Sequence, residues 1–312
     1  MTTLEALHLR KDYAIRGTGL RNKTLKAVDD VSIVVRPGES VALVGESGSG
    51  KSTIAKMLIR LIEPTAGDIR LDGAPVGRGR RATKAYRSRV QMVFQDPFSS
   101  LNPSLPIRHQ LARPLRIHGI VRTRAEEDRE LRRLLDSVNL GPADEMLAKY
   151  PHELSGGQRQ RIAIARALAP RPEVLIADEP VSMLDVSIRL EILQLLDDLK
   201  KERNLAVLYI THDLATARHF SSQIVVMRNG RVVERGGSSD VILNPIHPYT
   251  QLLVHAAPDP KSEPFVVDPH RFLASPDVVI TETDPGPTPD AAHWARAWAD
   301  DPAVAAILTP AR

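Results

Sequence analysis

Gly45-Glu46-Ser47-Gly48-Ser49-Gly50-Lys51-Ser52, followed by Thr53, constrains this chain more than any other stretch. It has the Gly-four-Gly-Lys-Ser/Thr spacing of a P-loop, with the apolar run Val41 to Val44 before it. Apolar residues at helical spacing follow at Ile54, Met57, Leu58, Leu61 and Ile62. A strand feeds the loop and a helix leaves it. The glycines let backbone N–H groups turn inward around phosphate oxygens, and the helix N-terminus adds partial positive charge. Lys51 can then reach the β- and γ-phosphates while Ser52 offers its hydroxyl to Mg²⁺. The first ligand this predicts is a nucleoside triphosphate.

At 312 residues the chain can bury a sizeable core, and a single P-loop predicts a single nucleotide-binding unit. There is no cysteine, so disulfides, Cys-ligated zinc and iron–sulfur clusters are excluded together, in keeping with a reducing cytoplasm. The N-terminus shows no basic start followed by an apolar block. No run approaches the roughly 18 apolar residues of a bilayer span, so work at a membrane would need a membrane-embedded partner. Residues 258–312 hold nine acidic and four basic side chains, a net −5, which leaves +9 on the remainder of a chain whose total is +4. That excess is modest and reads as the solvated face of a nucleotide binder.

Residues 4–9 and 31–35 read as strands separated by a polar excursion at about 16–26, and residues 69–71 add another, together a small antiparallel sheet. Arg78 to Arg81 reads as a basic solvated loop. Val90 to Phe94 is a strand ending at Gln95, after which the proline-punctuated Asp96 to Pro103 opens a helical region. It includes an amphipathic helix at about 123–138 with Leu131, Leu134, Leu135 and Val138 on one stripe. Val174 to Ala177 and Ala206 to Ile210 are short apolar runs, hence buried parallel strands, separated by a helix at about 187–202. Asn229-Gly230 predicts a tight type I′ hairpin. The expected fold is therefore α/β: a P-loop core with a mostly parallel sheet, an N-terminal antiparallel β subdomain and an inserted α-helical subdomain at about 96–168. Residues 1–255 form this domain. Residues 256–312 form a Pro-rich extension, read as extended chain with a weak helix placing Trp294 and Trp298 on one face.

The chemistry is completed by Asp178-Glu179 at the end of a buried strand. A strand-end Asp can hold Mg²⁺ through water, the role read for Asp178, and a second carboxylate beside it can act on the attacking water, so Glu179 is read as general base. Leu154-Ser155-Gly156-Gly157-Gln158 places a serine and two glycines at a second helix N-terminus able to grip phosphate. One nucleotide does not need two such grips in one chain. The second is expected to bind the γ-phosphate of an ATP held by another subunit.

In their order, Gly45 to Ser52, Gln95, Leu154 to Gln158, Val174 to Glu179, Asp185 and His212 resemble the Walker A, Q-loop, signature, Walker B, D-loop and H-switch of ATP-binding-cassette ATPases. The resemblance implies a head-to-tail dimer sandwiching two ATPs. It assigns Glu179, His212 and Gln95 to catalysis. Nucleotide contacts fall to Tyr13 (stacking on adenine), Gly45, Ser47, Gly48, Gly50, Lys51, Ser52, Thr53, Ser155, Gly157, Gln158 and Asp185, and Mg²⁺ to Ser52, Gln95 and Asp178. Residues 95–103, 179–187 and 244–250 are similar to the ATPase subunits of oligopeptide and dipeptide importers. That likeness implies a second, different ATPase subunit, two transmembrane permease subunits, an extracytoplasmic substrate-binding protein and a place on the cytoplasmic face of the membrane. Met183 departs from the small residue usual in the D-loop. A soluble ABC ATPase acting on nucleic acid or ribosomes is the rival reading, opposed by the lack of a long coiled-coil insertion, of a second cassette and of a basic–aromatic surface. A nickel or glutathione importer is the other alternative.

Overall fold

The computed structural model describes residues 2–15, 23–256, 279–281 and 293–296. In chain order the elements are β1 (Leu4–Ile15), β2 (Lys23–Val35), β3 (Ser40–Val44), α1 (Lys51–Leu58), β4 (Ala66–Leu71), β5 (Ala74–Pro75), α2 (Arg80–Arg89) and β6 (Val90–Val93). There follow α3 (Pro97–Ser100), α4 (Ile107–Ile117), α5 (Arg124–Asp136), α6 (Ala143–Ala148), α7 (Gly156–Leu168), β7 (Val174–Asp178), α8 (Val186–Arg203) and β8 (Ala206–Thr211). The last are α9 (Leu214–Phe220), β9 (Gln223–Arg228), β10 (Arg231–Gly237), α10 (Ser238–Leu243), α11 (Pro248–His255), β11 (Val279–Thr281) and β12 (Trp294–Arg296). They group into two compact units, one of 1–2, 36–39 and 76–208, the other of 3–35, 40–75 and 209–312.

The first unit is built on parallel strands β6 and β7, in register from Val90 opposite Val174 to Val93 opposite Ala177, with β8 next in order. Every residue of β7 is buried, which is why it reads as an unbroken apolar run rather than an alternation. Helices α4 to α7 pack through Leu111, Leu115, Leu131, Leu135, Ile162 and Leu168. At the start of α5, Thr123 and Glu126 form a reciprocal capping box, which fixes where the amphipathic stripe begins. Arg116 of α4 forks onto Glu127 of α5 at 2.5 and 2.9 Å, and this bonding holds the Glu127 carboxyl below the usual carboxylate range.

The second unit contains the antiparallel sheet β2-β1-β4-β5 and the strands β11-β12-β10-β9-β3, with β3 parallel to β9. Asn229 and Gly230 both take positive φ, 48° and 79°, so the β9–β10 turn is of the predicted I′ kind. Four expectations change. The helix after the P-loop stops at Leu58, not near residue 63. Arg60 adopts φ 58° and the Leu61 and Arg60 N–H groups bond back to the Lys56 and Met57 carbonyls, a Schellman closure without the glycine that would have announced it. Lys23 to Lys26, assigned to the polar excursion, belong to β2. The basic loop at 78–81 runs into helix α2, whose one buried anchor, Tyr86, is too thin a stripe to register as periodicity. Trp294 lies in strand β12, paired with β10 at Arg235, not in a helix; Trp298 falls outside the described residues.

Candidate functional site

The P-loop belongs to the second unit. Strand β3 is buried throughout and delivers the chain at Gly45, where φ is 147° and a Cβ would lie 2.2 Å from the Met227 carbonyl oxygen; only glycine fits. Gly48, at φ 83°, faces open space, with nothing within 4 Å of where a Cβ would stand. Lys51 is buried, its ammonium donating to the Gly45 and Glu46 carbonyls at 2.7 and 2.8 Å and to Ser49 Oγ at 3.4 Å. The loop thus curls around its own lysine, with Glu46, Ser47 and Gly48 exposed at the rim and Ser52 exposed at the helix start. A glycine-rich turn running into a helix N-terminus, with a buried lysine at its centre, suits the phosphates of a nucleotide.

The carboxylates belong to the first unit. Asp178 is 5 % exposed at the end of β7. Glu179 follows in the left-handed region at φ 45°, unusual for a side chain of its size, and the turn is fastened by Ser182, whose N–H and hydroxyl both donate to the Glu179 carbonyl. Gln95, just after β6, donates from Nε2 to Glu179 Oε2 at 2.8 Å. The sequence places these two residues 84 positions apart; the parallel pairing of β6 with β7 brings their ends together.

In the same unit Ser155 caps α7, accepting from Gln158 N–H at 3.2 Å while Gln158 Oε1 accepts from Ser155 N–H at 3.0 Å. A Cβ on Gly157 would come within 2.8 Å of Ile188, so this glycine also permits the close packing of α7 on the start of α8. Asp185 is exposed at the N-cap position of α8 and makes no capping bond with its side chain, which leaves its carboxylate facing outward.

His212 and Tyr13 lie in the second unit. His212 is exposed between the buried strand β8 and Asp213, whose carboxylate accepts from Ala215 and Thr216 N–H and starts α9. Tyr13 is 37 % exposed on β1, with the Lys11 ammonium 5.3 Å from its ring centroid. One contact to the P-loop escaped the sequence reading. Tyr249, inside the 244–250 stretch noted only for its likeness, accepts the Glu46 N–H at 3.0 Å. The stretch itself was the signal; no periodicity or spacing links position 249 to position 46.

Residues 28–182 match the family model described as ABC transporter. The chain is 44% identical over 261 residues to the oligopeptide transport ATP-binding protein AppF of Bacillus subtilis, a match covering 82% of this chain and 78% of that protein. It is likewise 44% identical over 261 residues to the oligopeptide transport ATP-binding protein OppF of Bacillus subtilis, covering 82% and 83%. Among solved structures, cbiO1 of Clostridium perfringens, part of an ABC transporter complex, superposes with a TM-score of 0.67 at 28% identity, over 77% of this chain and 90% of that one. A dimeric ATP-binding cassette in a post-hydrolysis state bound to ADP and Pi does so with a TM-score of 0.66 at 30% identity, over 75% and 98%. With its P-loop, strand-end carboxylates and helical insertion in place, this chain belongs to the ATP-binding subunits of the ABC transporter family.

Proposed function

We propose that this chain is the ATP-hydrolysing subunit of a peptide importer of the dipeptide or oligopeptide type. Lys51 and the N–H groups of the loop from Gly45 to Thr53 hold the phosphates, and Tyr13 stacks on the base. Ser52, Asp178 and Gln95 would hold Mg²⁺, which would neutralise charge on the phosphates. Glu179 accepts a proton from the attacking water. Gln95 orients its carboxylate, and the left-handed backbone at Glu179 presents it at the strand end. His212 contacts the γ-phosphate. Ser155, Gly157 and Gln158 serve the ATP of a second subunit, whose site Asp185 couples to this one. The cassette is residues 1–255, and 256–312 an appended extension.

The observation that carries the hydrolytic reading is the 2.8 Å Gln95–Glu179 bond, which holds a base in place at the end of a buried strand. The transport reading is supported by the likeness to the two Bacillus oligopeptide transport ATP-binding proteins. Among the described residues no helix is long and apolar enough to cross a membrane. On the likeness to those proteins, attachment is assigned to partners: two permease subunits and a second, different ATPase, at the cytoplasmic face, with an extracytoplasmic binding protein delivering substrate. A mild-detergent pull-down of this chain from its native membrane, read by mass spectrometry, is expected to retain two polytopic membrane proteins and a second ATPase. Ribosomal proteins or nucleic acid in their place would overturn the transport reading and leave the ATPase intact.

A further inference from the structure

Tyr249 is 2 % exposed, and its hydroxyl meets the first peptide unit of the P-loop. The Glu46 N–H that donates to it shares a planar trans unit with the Gly45 carbonyl, which on the opposite side accepts from Lys51 Nζ at 2.7 Å. The unit is therefore gripped at both ends, by a phenol on one side and an ammonium on the other. Its neighbour Gly45 has the conformational freedom to let it rotate, so the orientation depends on these two grips, Lys51 from within the loop and Tyr249 from outside it.

The phenol is itself firmly placed. The Arg228 guanidinium lies 4.8 Å from its ring centroid, and the Tyr249 N–H donates to His247 Nδ1 at 3.1 Å. The Ile246 and His247 N–H groups donate to the two oxygens of Glu234 at 3.0 and 2.9 Å, and Glu234 is fully buried. Burial raises the pKa of the Tyr249 phenol, so it stays neutral and accepts through a lone pair.

We propose that Tyr249 is a positioning residue for nucleotide binding: by taking the Glu46 N–H it fixes the peptide plane whose carbonyl anchors Lys51, and so keeps the loop in its phosphate-receiving form. This rests on the nucleotide-binding reading of the P-loop. The 244–250 stretch then serves as a brace for the Walker A loop, delivered from α11 and anchored on Glu234.

The test is Tyr249→Phe in the full chain, which keeps the ring against Arg228 and removes only the hydroxyl. ADP with Mg²⁺ is titrated calorimetrically into both proteins, and amide hydrogen exchange is followed at Glu46 and along β9 and β10. The expected result is ADP binding weakened about three- to tenfold, the worth of one hydrogen bond, with exchange faster at Glu46 and unchanged in the two strands. General loosening would instead speed exchange in the strands as well and would overturn the proposal, as would unaltered affinity. Failure of the unmodified chain to bind ADP would remove the nucleotide reading and the proposal with it. Binding by the unmodified chain and equal binding by the variant would remove only the proposal.

Discussion

Glu179 combines two observations that point to the same use: a left-handed backbone at φ 45° and a carboxylate held by Gln95. Backbone strain of this kind costs on the order of 1–3 kcal/mol and persists where surrounding structure enforces it, here the Ser182 turn. Glu179→Gln retains an oxygen to accept from Gln95 and removes the proposed proton acceptor. ATP binding is therefore expected to stay within about twofold of the unmodified chain, while turnover falls by about 10²–10⁴. Calorimetric binding beside phosphate release checks it, and undiminished release would move the base elsewhere. Lys51 in its P-loop, the strand-end pair Asp178-Glu179 and Ser155 before a helix stand out in the sequence because phosphate-binding loops place such residue types at fixed spacing, whereas Gln95 was marked only by the family resemblance. The positive φ of Glu179 was not legible, since glutamate carries no local preference for it.

At the scale of elements, α4 and α5 are joined by the Arg116–Glu127 fork. The carboxyl of Glu127 is buried and its pKa is lowered, first by the hydrogen bonds from Arg116. A depressed carboxylate contributes stability that is present above its unfolded pKa and lost as pH falls through the lower folded value. Glu127→Gln is expected to lower the thermal midpoint at neutral pH by a few degrees. The gap between the two proteins should narrow as pH drops below the ordinary carboxylate range; a gap independent of pH would assign the loss to packing. The amphipathic stripe of α5 was readable because period and capping box agree. Helix α2 was not, because Ala and Arg favour a helix but a single buried Tyr86 gives no period. The end of α1 was missed for a related reason, since Arg60 takes a conformation usually marked by glycine.

At the scale of the whole molecule, the described part of the C-terminal extension joins the β10 edge of a sheet. Trp294 is 2 % exposed there, opposite Arg235, and His293 Nε2 stands 2.6 Å from Glu234 Oε1. Glu234 thus joins this extension to the 246–247 backbone that precedes Tyr249. His293→Ala removes one of the three partners that a fully buried carboxylate has among the described residues, and chemical denaturation should report a loss of about 1–3 kcal/mol; an unchanged midpoint would show that the remaining N–H donors suffice. The sequence by itself determined the P-loop, the buried strands and the hairpin turn, because each is written in local spacing that backbone geometry requires, and it carried the resemblance to the family through its motifs. Only the tertiary structure decided that Gln95 meets Glu179, that Tyr249 braces the P-loop and that Trp294 enters a sheet. Those pairings join residues 84, 203 and 59 positions apart, as given by Gln95–Glu179, Glu46–Tyr249 and Glu234–His293, and depend on strand order and burial, which no local pattern encodes.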